Sequence, residues 1–151
     1  MVTLDELKDK LASNARLIGL DLGTKRIGIA ICDDKRKIAS PYKTIEYKNM
    51  EYLVNELKII IKDNNIFAVI IGNPINMDGS YGKSAQSIND KAKVIEKELG
   101  LMVSMWDERL STSGAFNISS NLDIKFSEKK KNIDTKAAAF ILQGALDYLN
   151  N

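Results

Sequence analysis

The chain has 151 residues, 44% hydrophobic and 28% charged, with a formal net charge of +2. That is the size and balance of one soluble domain able to bury its own core, and it excludes a disordered or fibrous chain and a second domain of ordinary size. Histidine is absent and Cys32 is the single cysteine, which removes Ser-His-Asp and Cys-His chemistry, most zinc sites and any disulfide framework.

Residues 1–15 read as an amino-terminal helical extension. Leu4, Leu7 and Leu11 form one stripe over residues 3–15, an appendage set before a single domain spanning 16–151. The acids in this segment do not suit a signal peptide, and the longest apolar run, residues 66–71, is too short to span a bilayer; a cytoplasmic location is expected. Isoleucine-rich segments at 17–22 and 27–32, with a weaker one at 38–47, are separated by Gly23-Thr24-Lys25 and Asp33-Asp34-Lys35, the pattern of an antiparallel meander. Cys32 lies in the second segment and reads as a small buried hydrophobe.

Met50, Leu53, Val54, Leu57, Ile60 and Ile61 recur at helical spacing and lead into the strand-forming run Phe67 to Ile71, closed by Gly72. The unit repeats: Ala85, Ile88, Ala92, Ile95 and Leu99 mark a helix, Gly100 stops it, and 101–106 reads as a strand. Two successive helix-to-strand units imply parallel strands with crossover helices. Residues 119–132 show no period and read as a mobile loop, after which Ala138, Ile141, Leu142, Ala145 and Leu149 define a closing helix opened by Asp134. An α/β order of β-β-β-α-β-α-β-α, a meander followed by parallel strands in one mixed sheet flanked by helices, is that of ribonuclease-H-like folds.

Acids stand at the ends of these elements. Asp21 alternates onto the strand face of Gly19 and Gly23, a face nearly bare of side chains, where an acid is poorly explained by packing. Asp107 and Glu108 follow the strand ending at Trp106, at the carboxyl edge where parallel sheets bind ligands; their side chains diverge, so one of the two faces the site. Asp134 shares the buried stripe of Ala138, Ile141 and Ala145, and its alternative reading is a helix cap. Three converging acids without histidine repel one another unless cations lie between them, and Mg²⁺ or Mn²⁺ suits an all-oxygen site. Two such ions about 4 Å apart activate water for in-line attack at phosphorus, so no protein base is required.

Seven basic residues in 24–48 and five in 124–136 supply positive charge for a phosphate backbone. Thr24, Lys25, Arg26, Asn76, Lys83, Arg109, Ser111 and Thr112 are the candidate nucleic-acid contacts, with Lys129, Lys130 and Lys131 beyond them. The loop from Asn73 to Gly82 is able to offer backbone N–H groups to phosphate at the following helix. Tyr81, Phe126 and Trp106 are candidates for stacking on bases, although Trp106 at a strand end also suits the core.

Four motifs in this order, Asp21-Leu22-Gly23-Thr24-Lys25-Arg26-Ile27-Gly28, Gly72-Asn73-Pro74-Ile75-Asn76-Met77-Asp78-Gly79, Asp107-Glu108-Arg109-Leu110-Ser111-Thr112 and Ile133-Asp134-Thr135-Lys136-Ala137-Ala138, resemble the YqgF family, also called RuvX-like. The resemblance covers 16–149. It implies a ribonuclease-H-like fold related to Holliday junction resolvases and a nuclease that processes the 5′ end of precursor 16S ribosomal RNA, with precursor ribosomal particles as partners. It also implies that Asp21, Glu108 and Asp134 are the catalytic, metal-holding carboxylates, which selects Glu108 over Asp107. Two features depart from the family: Asn73 stands where leucine is frequent, and the amino-terminal helix is an addition.

Branched DNA is the alternative substrate. A resolvase needs a homodimer to cut two strands symmetrically, whereas a monomer favours RNA processing. Two other readings follow from the same fold: a non-catalytic RNA-binding assembly protein, and an ATP-binding lobe of the actin and sugar-kinase type. The latter lacks a second lobe and a second phosphate hairpin in 151 residues.

Overall fold

The computed structural model describes residues 1–74, 78–80, 82–107 and 126–151, and for 126–133 the backbone alone. Three strands, β1 (Arg16–Leu22), β2 (Arg26–Cys32) and β3 (Ala39–Glu46), form the antiparallel meander. Helix α2 (Met50–Asn64) begins at Asn49, whose side chain accepts from the Tyr52 N–H at 2.8 Å, and ends at Asn65 in the left-handed region. Strand β4 (Ile66–Asn73), helix α3 (Lys83–Leu99) and strand β5 (Met102–Asp107) follow, with Gly100 at φ 67° terminating α3. Among the described residues the sheet runs β3-β2-β1-β4-β5, with β4 parallel to β1 and β5 parallel to β4.

Alternation along these strands makes two cores. On one face Ile18, Leu20, Ile27, Ile29, Val69, Ile71 and Val103 pack beneath Leu53 and Leu57 of α2 and Ala92 and Ile95 of α3. On the other, Leu17, Ala30, Cys32, Ala68 and Ile70 pack against α4 (Phe126–Leu149) through Ala138, Ile141, Leu142, Ala145 and Leu146. Cys32 is a buried free thiol, as its apolar surroundings imply. This second face contains Gly19 and Gly28, and it is not bare: a Cβ on Gly19 would lie 2.7 Å from Leu142 Cβ. Glycine was needed there because a helix lies directly on the sheet.

Two further expectations are corrected. Helix α1 (Leu4–Lys10) is shorter than 3–15 and is no loose appendage, because Leu7 is fully buried with Leu17 and Leu146. The Val2 N–H donates to the Val103 carbonyl at 3.0 Å, and the Ser104 hydroxyl donates to the Val2 carbonyl at 2.8 Å, tying the segment to β5. The closing helix begins at Phe126, not at Asp134. Residues 126–132, read as loop, are helical, since consecutive Glu128 and Lys129 to Lys131 are good helix formers without an apolar stripe to reveal it; residues 119–125 lie outside the described residues. No helix among the described residues is long and apolar enough to cross a membrane.

Candidate active site

Asp21 is the penultimate residue of β1 and lies opposite Gly28 of β2 on the α4 face. A Cβ on Gly28 would overlap the Asp134 carbonyl oxygen. The backbone of α4 at Asp134 is therefore seated on β2 beside Asp21, and the missing side chain at position 28 is what admits it. Since Asp134 is inside the helix, the capping role is excluded. Gly23 makes the adjoining turn: its N–H donates to the Arg26 carbonyl at 3.0 Å, and a Cβ there would overlap that oxygen. The turn brings Arg26 across to α4, where its Nε donates to Asp134 Oδ2 at 2.8 Å, with both side chains largely shielded from solvent.

The electrostatics follow from this crowding. Burial, and then the negative charge of Asp134, push the Asp21 carboxyl from 3.8 up to about 6. A carboxylate held beside another, with one guanidinium on the far member among the described residues, is a site where added positive charge is favourable. Among the described residues no three acids, cysteines or histidines form a metal cluster; the described carboxylates are two hard oxygen donors, matched to Mg²⁺ or Mn²⁺ and not to soft metals.

Two clefts flank the turn and share Thr24. One, about 430 Å³, runs from Asp21 past Pro74 to Lys83, Ser84, Ser87 and Lys91 on α3. The other, about 700 Å³, is lined by Lys25, Arg26, Thr44, Glu46 and Tyr47. The structure thus brings Thr24, Lys25, Arg26 and Lys83 to the neighbourhood of Asp21. It adds Ser84, Ser87, Lys91, Thr44 and Tyr47, which the sequence reading missed; the four-residue spacing of Lys83, Ser87 and Lys91 was the available signal. The amino end of α3 faces the first cleft with Gly82 as cap, no side-chain cap bond and no acid in its first turn, which leaves its N–H groups for an anion.

Register separates Asp107 from this site. Gly72 pairs with Trp106 and Asn73 with Asp107. Trp106 lies on the α4 face, where a Cβ on Gly144 would be 2.6 Å from its ring, so its indole is packed as a core residue. Asp107 alternates to the opposite face, that of Val103 and Met105. Asn76, Tyr81, Glu108, Arg109, Ser111 and Thr112 lie outside the described residues, as do the side chains of Phe126, Lys129, Lys130 and Lys131.

The chain matches known proteins over its whole fold. The model of a family described as RuvX, Holliday junction resolvase, matches residues 15–148. A protein of Pelagibacter ubique, named as a candidate pre-16S rRNA nuclease, is 60% identical over 151 residues, covering 100% of both chains. One of Acidiphilium cryptum with the same name is 40% identical over 150 residues, covering 99% of this chain and 95% of its own. The first alignment includes residues 1–15, so the docked amino-terminal segment is shared. Among solved structures, Thermus thermophilus RuvC in complex with a Holliday junction superposes with a TM-score of 0.55 at 12% identity, covering 89% of this chain and 94% of that one. At that identity the likeness is one of fold, and it bears out the ribonuclease-H-like expectation.

Proposed function

The chain belongs to the RuvX family, and from that premise we propose that it is a metal-dependent nuclease hydrolysing phosphodiester bonds in the 5′ region of precursor 16S ribosomal RNA. The observation that carries the reading is the juxtaposition of Asp21 and Asp134 across Gly28, with the Asp21 carboxyl pushed up to about 6. Acids held this close at a strand end serve no packing purpose.

Asp21 and Asp134 would hold Mg²⁺ or Mn²⁺ together with Glu108, which the family resemblance selects over Asp107. When bound, two such ions supply an activated water and neutralise the charge developing at phosphorus. The chain's own residues then have distinct tasks. Lys25 and Arg26 offer charge to the nucleic acid backbone, Arg26 being also the counter-charge to Asp134. Thr24 and Lys83 edge the cleft at Asp21 and orient the strand, with Asn76, Arg109, Ser111 and Thr112 as further contacts. Residues 16–151 form the nuclease domain on this reading, with 1–15 docked on it, acting in the cytoplasm on precursor ribosomal particles.

The names of the 60% and 40% identical relatives favour RNA; the family description favours a four-way DNA junction as the second reading. Cleavage of a precursor 16S fragment and of a synthetic junction, each with Mg²⁺ or Mn²⁺, separates them. Cutting of the RNA by wild type and not by Asp21→Asn is the expected result, in a protein that sediments as a monomer. Equal cutting by both proteins removes Asp21 from the mechanism, and junction cutting by a dimer replaces the RNA reading.

A further inference from the structure

One edge of α3 carries chemistry that the acidic pair does not use. Lys83, Ser87 and Lys91 recur every four residues, form one stripe, and all line the cleft that opens onto Asp21. From Lys83 to Lys91 the helix rises about 12 Å, against an axial rise of about 3.4 Å per nucleotide of each strand in a duplex, so the stripe is longer than the step from one nucleotide to the next. At its far end the Lys91 ammonium stands 4.4 Å from the centroid of the Tyr47 ring. Tyr47 belongs to the wall of the second cleft, with Lys25 and Arg26, and its N–H donates to the Lys25 carbonyl at 2.8 Å, which fixes it to the same turn.

The two walls differ in kind. Along α3 there are ammonium groups and a hydroxyl, which suit phosphate oxygens and carry no base preference. Tyr47 offers an aromatic ring, which suits the flat surface of a base. A base inside a duplex is already stacked on both sides; only an unpaired one is free to lie against a ring.

We infer that Lys83, Ser87, Lys91 and Tyr47 form a subsite for an unpaired stretch of nucleic acid beside the cleaved bond, its phosphates along α3 and one base against Tyr47. This rests on the nuclease reading and names the part of the substrate that the enzyme holds: a single-stranded flank.

Fluorescence anisotropy on the full chain in EDTA tests it without cleavage, using a labelled unpaired oligoribonucleotide and the same sequence as a blunt duplex. Tyr47→Ala is expected to weaken the unpaired probe about tenfold and to leave duplex binding unchanged, while Tyr47→Phe retains affinity. Lys91→Ala is expected to weaken the unpaired probe severalfold and to lower the slope of log affinity against log salt by about 0.7. Tyr47 also packs partly on the core, so melting curves accompany each variant, and Tyr47→Leu replaces Tyr47→Ala, and Lys91→Gln replaces Lys91→Ala, where the alanine variant does not fold. Unchanged affinity, or equal losses on both probes with an unchanged salt slope, overturns the subsite. Wild type that cleaves normally while neither variant affects binding overturns the subsite alone. Wild type that cleaves nothing while both variants weaken the unpaired probe overturns the nuclease reading and leaves the subsite standing.

Discussion

Replacing Asp21 by asparagine should stabilise the metal-free protein at neutral pH while abolishing cleavage. The Asp21 carboxyl is raised from 3.8 to about 6, first by burial and then by Asp134. The sign follows from proton binding. Below about pH 4 the carboxyl is protonated in the folded and unfolded chains alike, and it exerts no differential effect. Between about 4 and 6 the folded chain retains a proton that the unfolded chain has released, so stability falls as pH rises. Above 6 the loss is complete, and two units at about 1.4 kcal/mol each set it at about 3 kcal/mol. Asparagine resembles the protonated acid in shape and charge and escapes this loss. In EDTA at pH 7.5 the variant should therefore unfold at higher urea than wild type, by up to about 3 kcal/mol, and the two should coincide near pH 3.5. Added Mg²⁺ should stabilise wild type and narrow the gap, since binding to the folded state alone shifts the equilibrium. Circular dichroism during urea titration at both pH values measures all of this. A variant no more stable than wild type at pH 7.5 would show that the Asp21 carboxylate is strained neither by burial nor by Asp134, and the argument for a cation between them would fail.

Gly28→Ala places a methyl group against the Asp134 carbonyl; helix backbone cannot step aside, so urea titration should show a loss of about 1–3 kcal/mol, accompanied by loss of cleavage as Asp134 is displaced. Leu7→Ala should cost about 2–5 kcal/mol in the same titration, because the side chain is fully buried in the core that α4 covers, on a helix packed against α4 and β5; a cost within about 0.5 kcal/mol would return α1 to the status of an appendage. Glu108→Gln should lower the cleavage rate by at least about a hundredfold, the loss expected when several kcal/mol of metal-borne stabilisation disappear, whereas Asp107→Asn, on the opposite face, should retain most activity. Single-turnover cleavage of the precursor fragment measures both, and a reversed order would exchange their roles.

What could be read from the chain before its structure depended on whether a feature is local. The strands were legible because isoleucine and leucine alternate with other residues, small ones above all, over runs nearly as long as the strands themselves, and Asp21 stood out as the acid in such a run. The docking of α1 was not legible: Leu4, Leu7 and Leu11 say that one face is apolar and not which surface will cover it. Nor was the pairing of Lys91 with Tyr47, which arises only when α3 and the end of β3 are folded beside the same turn. Likewise Gly19 and Gly23 mark a face with few side chains of its own, but space vacated in a strand can be filled by solvent, ligand or helix, and the sequence does not distinguish these; at Gly19 it is a helix that fills it.

Asp134 separates phase from boundary. Its helix begins at Phe126, well before the position expected, because Lys129 to Lys131 hide the periodicity of the first turns. Even so, the prediction that Asp134 faces the sheet holds, since that phase was counted back from Ala138, Ile141 and Ala145, all buried. A stripe keeps its direction wherever the helix starts. The same stripe requires a partner surface that admits backbone at its amino-terminal side, and Gly28 supplies it beside Asp21. The side chain that β2 omits at Gly28 is the space that the α4 backbone at Asp134 occupies, and that seating sets the Asp134 carboxylate where its charge acts on Asp21.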